Sequence, residues 1–191
     1  LMLGMSAIGV IPLSETKLLG LVLALIVFLM EFVATIFAFL ARDTMSAATL
    51  GLFTTSWLTL GIFALMSKPG LTSVAIGIYL FGFAAAVFLL AVMAVPAKPF
   101  FTVLLFLAFG RMLMSGIYEV GASHAFYTIS GYAALVLTAC AYYGAVAFAL
   151  EDAKHRPVLP LFRRGAADDA FSGYRNQLER LEAEPGIRQQ L

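Results

Sequence analysis

Charged residues are scarce in this chain, at 12% of its composition against about 25% in soluble globular proteins. The net charge is +1, and so few cations cannot form a basic surface that would neutralise a run of phosphates. Cysteine occurs once, at Cys140, which excludes an intramolecular disulfide framework and a thiolate metal cluster. The composition therefore argues against a soluble domain, a nucleic-acid-binding protein and a disulfide-stabilised scaffold.

The usual sequence signs of catalysis are also missing. No glycine-rich phosphate loop follows a strand pattern, and no H-E-x-x-H motif is present. The two histidines, His124 and His155, are not spaced to join a nucleophile and an acid, and both are predicted to be solvated side chains. We predict that the protein is not an enzyme and has no metal site and no cofactor.

What the chain has in excess is apolar sequence, with hydrophobic residues at 62%. A bilayer core about 30 Å thick is crossed by roughly 20 apolar residues in a helix that rises 1.5 Å per residue. Five uninterrupted runs meet this requirement. They are residues 18–41, 45–66, 71–95, 99–119 and 125–150.

The predicted fold is an all-α, polytopic membrane bundle of six transmembrane helices within residues 1–150, followed by a short cytoplasmic tail at 151–191. The opening run, 1–13, is too short to span alone. Because the chain starts with Leu rather than Met, we expect upstream residues to complete this first span. The breaks between the runs are only a few residues long, so consecutive helices should be antiparallel neighbours.

Lysine and arginine are distributed unequally between the two sides of this topology. Arg42, Lys98 and the basic residues of the tail fall on one side, against Lys17 and Lys68 on the other. The positive-inside rule then predicts a multi-pass protein of the plasma (inner) membrane with both termini in the cytoplasm. The tail carries one apolar stripe at helical spacing, which predicts a short amphipathic helix, with a frayed tail as the alternative. Its members are Phe171, Tyr174, Leu178 and Leu181.

Two charged residues lie well inside the apolar runs, where an unpaired charge costs about 3 kcal/mol or more. They are Glu31 in the second predicted span and Arg111 in the fifth. Their predicted depths differ by about 8 Å, so an ion pair that joins two helices is feasible. Alternatively, Arg111 attracts an anionic solute in a wet pore while Glu31 tunes that site, or both residues face a neighbouring subunit.

Hydroxyl side chains cluster in the third predicted span. Thr54, Thr55 and Ser56 are consecutive and lie between the aromatic residues Phe53 and Trp57. Hydroxyls in a membrane helix usually bond to their own backbone or to a neighbouring helix, but this cluster could also line a narrow polar path. We therefore include these three residues, with Glu31 and Arg111, among the candidate polar residues of a pore or substrate site.

Three short motifs, in this order and spacing, resemble the acetate uptake transporter family, also called succinate–acetate permeases. They are S-W-L-T-L at 56–60, G-I-Y-L at 77–80, and the stretch from Gly131 to R-P-V-L-P at 156–160. Two other family signatures differ. The family's N-P-x-P-L-G-L motif would lie before or across Leu1, and its G-N-T-F-G stretch appears here as D-T-M-S-A, with only Thr44 kept.

The resemblance implies a six-helix protomer, a homohexamer in which each protomer has its own pore, and passage of acetate and related carboxylates, often with a proton. It also implies a hydrophobic constriction. By position in the family pattern, this constriction would be formed by Leu3, Phe53, and Leu107 or Ala108.

The leading functional hypothesis is a membrane channel or transporter for acetate and related small monocarboxylates, with proton-coupled symport as one form of it. Its partners would be the lipid bilayer, small carboxylate anions and further copies of the chain, and not nucleic acid. The main alternative is a non-conducting membrane subunit or scaffold of a larger complex, which uses the Glu31–Arg111 pair as structural glue and recruits partners through the apolar stripe of the tail. A channel for uncharged solutes has no residue that argues for it beyond the helix count.

Overall fold

The computed structural model describes residues 1–41, 43–121 and 123–164, and every regular element within them is helical. The predicted all-α class is confirmed at this level. Five helical stretches are long and apolar enough to cross a membrane. They are Leu13–Leu40, α4 (Thr44–Met66), α5 (Val74–Ala94), α6 (Pro99–Glu119) and α7 (His124–Lys154).

The first predicted span is much shorter in the structure than the others. Helix α1 (Met2–Ala7) has six residues, which is too few to cross a bilayer. It packs against α7 at a pair of glycines, where a Cβ added to Gly4 would lie 3.1 Å from the carbonyl oxygen of Gly131. The described residues therefore contain five membrane-length helices, and the sixth span stays a prediction. The amphipathic stripe predicted at 171–181 lies outside the described residues.

The longest apolar stretch, Leu13–Leu40, is not a uniform α-helix. It begins with a 3₁₀ turn at Leu13–Glu15, continues as α2 (Thr16–Leu21), passes through a π-helical segment at Val22–Val27, and ends as α3 (Phe28–Leu40). A π-helical segment inside a helix often occurs at functional sites. In this chain the segment contacts α4, and its Leu23 is 5% exposed.

The helices form two groups, and the contacts between the groups are far fewer than the contacts within each group. The first group contains α2, the π-helical segment, α3 and α4, and the second contains α1, α5, α6 and α7. Contact between the groups includes a sparse α4–α5 interface. The main apolar core lies between α5 and α6, and Phe53 and Leu60 of α4 pack against it. A space between two weakly packed groups is a natural place for a binding site.

Within each group, glycines allow the helices to cross at very short range. A Cβ added to Gly61 of α4 would lie 2.8 Å from the carbonyl oxygen of Gly20 in α2, and one added to Gly116 of α6 would lie 3.3 Å from the carbonyl oxygen of Gly77 in α5. Small residues are the usual means of close helix packing in membranes. Gly82 behaves differently, because it is exposed and has no neighbouring atom within 4 Å of an added Cβ.

Antiparallel helices give the bundle two ends, which we name after one residue each. The Ser67 end contains the connection from α4 to α5 and the C-terminus of α6. The Lys98 end contains the connection from α5 to α6 and Asp43 at the start of α4, and the Lys98 Nζ lies 2.6 Å from the Asp43 Oδ2. This ion pair joins the two helix groups at the Lys98 end.

Candidate functional site

A cavity of about 150 Å³ lies between the two helix groups at the Ser67 end. Leu19 and Leu23 of the first group and Leu80 and Met112 of the second form apolar parts of its wall. The polar residues that line it come mainly from the second group. They are Ser6, Thr16, Ser67, Lys68, Arg111, Ser115, Tyr118, Glu119 and Tyr127.

Arg111 is the buried charge of this cavity. Its side chain extends from α6, and the residue is 9% exposed. The guanidinium Nη1 donates a 3.6 Å hydrogen bond to the sulfur of Met112, a weak acceptor. Among the described residues, no carboxylate oxygen lies within the 4.0 Å of an ion pair with Arg111. A buried cation without a carboxylate partner is costly unless an anion or water compensates it.

The remaining polar wall near Arg111 comes from one face of α6 and from the start of α7. Ser115 follows Arg111 by four residues and Tyr118 by seven, which is the spacing of side chains on the same helix face. The Tyr118 and Tyr127 rings are stacked with their centroids 4.8 Å apart. His124 packs against both rings at 5.7 Å and is exposed, in agreement with the predicted solvated side chain.

Sequence reasoning did not identify Ser115, Tyr118 or Tyr127 as site residues. The i+4 and i+7 spacing after Arg111 could have indicated the first two. Tyr127 belongs to another helix, and no pattern in the chain relates it to Arg111. Among residues 1–41, 43–121 and 123–164, no group of three potential metal ligands is close enough to hold an ion.

The proposed ion pair between Glu31 and Arg111 is wrong. Glu31 belongs to α3, which packs on α4, and its carboxylate accepts a hydrogen bond from the indole Nε1 of Trp57. Arg111 instead faces the cavity between the groups. The two predicted depths are close enough for a contact, but depth along a helix does not fix which neighbour that helix packs against. The sequence does not reveal which helices are neighbours, and this information was needed to predict the pair.

The hydroxyls predicted to line a polar path do not line the cavity. Thr54 is buried and its Oγ1 lies 3.2 Å from the Oγ1 of Thr35, so it joins α4 to α3. The hydroxyl of Thr55 donates to the backbone oxygen of Leu52 in the same helix. Ser56 is completely buried, and its Oγ has no hydrogen-bond partner among the described residues. The cavity therefore brings Arg111 together with tyrosines, and these hydroxyls lie elsewhere.

The four predicted constriction residues divide between the cavity and the apolar core. Leu3 lines the cavity, whereas Ala108 is 2% exposed in the core between α5 and α6, and Leu107 is half-buried. Phe53 packs edge-on against Phe83, with ring centroids 5.1 Å apart. Leu80 and Met112 belong both to the cavity wall and to this core, so apolar side chains continue from the cavity towards the Lys98 end. A dry constriction at this level stays a prediction.

The protein is therefore an α-helical, membrane-embedded protein with a buried arginine in a small cavity between two helix groups. No protein-family model matches the chain, and no curated protein matches it. The resemblance to the acetate uptake transporters consequently depends on the short motifs alone and stays a prediction.

Proposed function

We propose that the protein is a membrane channel or transporter for acetate and related small monocarboxylates. The observation that supports this most is Arg111, a buried cation that faces a cavity and has no carboxylate partner in the described part of the chain. A guanidinium binds a carboxylate through two parallel hydrogen bonds, which gives both affinity and a fixed orientation. An incoming carboxylate would supply the partner that the protein does not.

The size and lining of the cavity suit a small acid. A cavity of about 150 Å³ is of the size that takes up benzene in an engineered apolar site, and acetate is smaller than benzene. Leu19, Leu23 and Leu80 offer apolar contact for a methyl or short alkyl group. One buried cation beside an apolar wall matches the charge and shape of a monocarboxylate.

The assembly belongs to the proposal and follows from the sequence pattern and the family resemblance. It consists of six spans per protomer, both termini in the cytoplasm and a homohexamer in the plasma (inner) membrane, with proton coupling as one mode of transport. The scaffold alternative has lost one of its supports, because the Glu31–Arg111 pair that would have served as glue is not formed.

Uptake of radiolabelled acetate into proteoliposomes tests the proposal. Arg111→Gln should reduce uptake by about tenfold or more, since a focused cation raises the local concentration of anions by 10- to 1,000-fold. Arg111→Lys should keep part of the activity. Arg156→Gln removes an exposed cation after α7 and serves as the matched control.

Because Arg111 has no carboxylate partner to strand, Arg111→Gln should assemble normally, and adding Glu31→Gln should restore nothing. Unchanged uptake in an assembled Arg111→Gln protein would contradict the proposed site. If proteoliposomes that contain the natural chain take up acetate no faster than empty liposomes, the transport function is contradicted and the scaffold is favoured.

A further inference from the structure

The Arg111 cavity also contains a carboxylate that the transport of simple acids does not use. Glu119, the last residue of α6, lines the cavity and is half-buried. Its Oε2 accepts a 2.8 Å hydrogen bond from the backbone N–H of Ser73, the residue that caps the start of α5. No cationic side chain among the described residues forms an ion pair with it. The cavity therefore has a positive and a negative group, each without an ionic partner.

The two groups belong to the same helix and line the same cavity. Glu119 follows Arg111 by eight residues, which corresponds to about 12 Å along the axis of α6. A ligand that contacts both groups must therefore be long enough to bridge about two turns of the helix. Glu119 is held in place by Ser73 at the N-terminus of α5, where the helix dipole favours a negative charge.

Two aromatic rings also line the cavity. Tyr118 and Tyr127, stacked at 4.8 Å, both contribute to the lining. The faces of aromatic rings attract cations, and alkylammonium groups are typical ligands of such surfaces. Lys68 also lines the cavity, but it is exposed, so its ammonium group is hydrated and screened.

We propose that the cavity binds amino carboxylates, with the ligand carboxylate on Arg111 and its ammonium group between Glu119 and the Tyr118–Tyr127 stack. This inference rests on the proposed function, because it assigns the same carboxylate to the same arginine. A simple acid would satisfy Arg111 and leave Glu119 unpaired, and a dicarboxylate would place its second charge against Glu119. An amino carboxylate satisfies both groups.

The experiment compares acids that differ only in the amine. Isothermal titration calorimetry on the full chain in detergent would measure glycine against acetate, β-alanine against propionate, 4-aminobutyrate against butyrate, and 5-aminovalerate against valerate. We expect one amino acid of the series to bind about tenfold more tightly than its amine-free counterpart, which is the usual gain from one charge-assisted hydrogen bond. The chain length that gives the largest advantage reports the distance between the two charged groups.

Two variants test which residues cause the tighter binding of the amino acid. Glu119→Gln keeps an acceptor for the Ser73 N–H but removes the charge, and it should abolish the advantage of the amine. Binding of the simple acid should not weaken, because the variant removes a negative charge from an anion-binding cavity. Arg111→Gln should weaken both series. Equal binding of the paired acids by the natural chain, or an advantage that survives Glu119→Gln, would overturn this inference and leave the proposed function standing. Failure of both series to bind would overturn both.

Discussion

Replacement of Gly61 by alanine should separate the two helices that form one wall of the cavity. The added Cβ would lie 2.8 Å from the backbone nitrogen of Ala24 and 2.8 Å from the carbonyl oxygen of Gly20. Ordinary contact begins at 3.4 Å, so α2 and α4 must move apart by about 3.4 − 2.8 = 0.6 Å. Both close atoms belong to the backbone, and no side-chain rotation can relieve the overlap.

The cost follows from overpacking, which typically destabilises a protein by about 1 to 3 kcal/mol. Alanine also favours a helix over glycine by up to about 1 kcal/mol, which partly masks that cost. Gly110→Ala is the matched control, because Gly110 lies within α6 and an added Cβ there meets no atom within 4 Å. The difference between the two variants cancels the helix preference and leaves the packing cost.

Thermal unfolding in detergent, followed by circular dichroism, measures this difference. For domains of 150–250 residues, 1 kcal/mol shifts the unfolding midpoint by roughly 2 to 4 °C, so Gly61→Ala should unfold about 2 to 12 °C below Gly110→Ala. Equal midpoints would show that α2 and α4 do not cross at Gly20 and Gly61 as the structure has them, and the shape of the cavity wall would then be wrong.

Three further predictions concern other contacts and the assembly. Removal of the Glu31 carboxylate should destabilise the natural chain by about 1 to 3 kcal/mol, because the indole of Trp57 loses its hydrogen-bond acceptor. The same change should cost much less in a Trp57→Phe background, where that hydrogen bond is already absent. A double-mutant cycle by thermal unfolding measures the coupling, and additive effects of the two changes would contradict the contact. Burial raises the pKa of Asp43, but hydrogen bonds from Lys98 and a neighbouring serine outweigh it and hold the pKa below its usual value of about 3.9. The Asp43–Lys98 pair should therefore stabilise the protein above pH 3.9 and lose its contribution as the pH falls through the lowered pKa. If Asp43→Asn instead stabilised the protein between pH 5 and 8, a stabilising role for this pair would be contradicted. Native mass spectrometry in mild detergents should show a homohexamer, and a monomer in every detergent would contradict the assembly.

The apolar runs determined most of the fold without any tertiary information. A chain in a bilayer must satisfy its backbone hydrogen bonds within each segment, so a run of about 20 apolar residues has hardly any choice but a helix. The run predicted at 45–66 appears as α4 (Thr44–Met66), and the one at 99–119 as α6 (Pro99–Glu119). The π-helical segment at Val22–Val27 was not foreseen, since its apolar sequence would fit a regular α-helix equally well.

The single arginine inside an apolar run was also readable as a functional candidate from the sequence, because burial of a charge in a bilayer needs a reason. What the sequence could not supply was its surroundings. The position of a residue within its apolar run indicates how deep it lies in the membrane. It does not indicate which helices become neighbours or how each helix is rotated. Only the packing of α6 on α7 brought Arg111 and Tyr127 to one cavity, and only the packing of α3 on α4 placed Glu31 against Trp57.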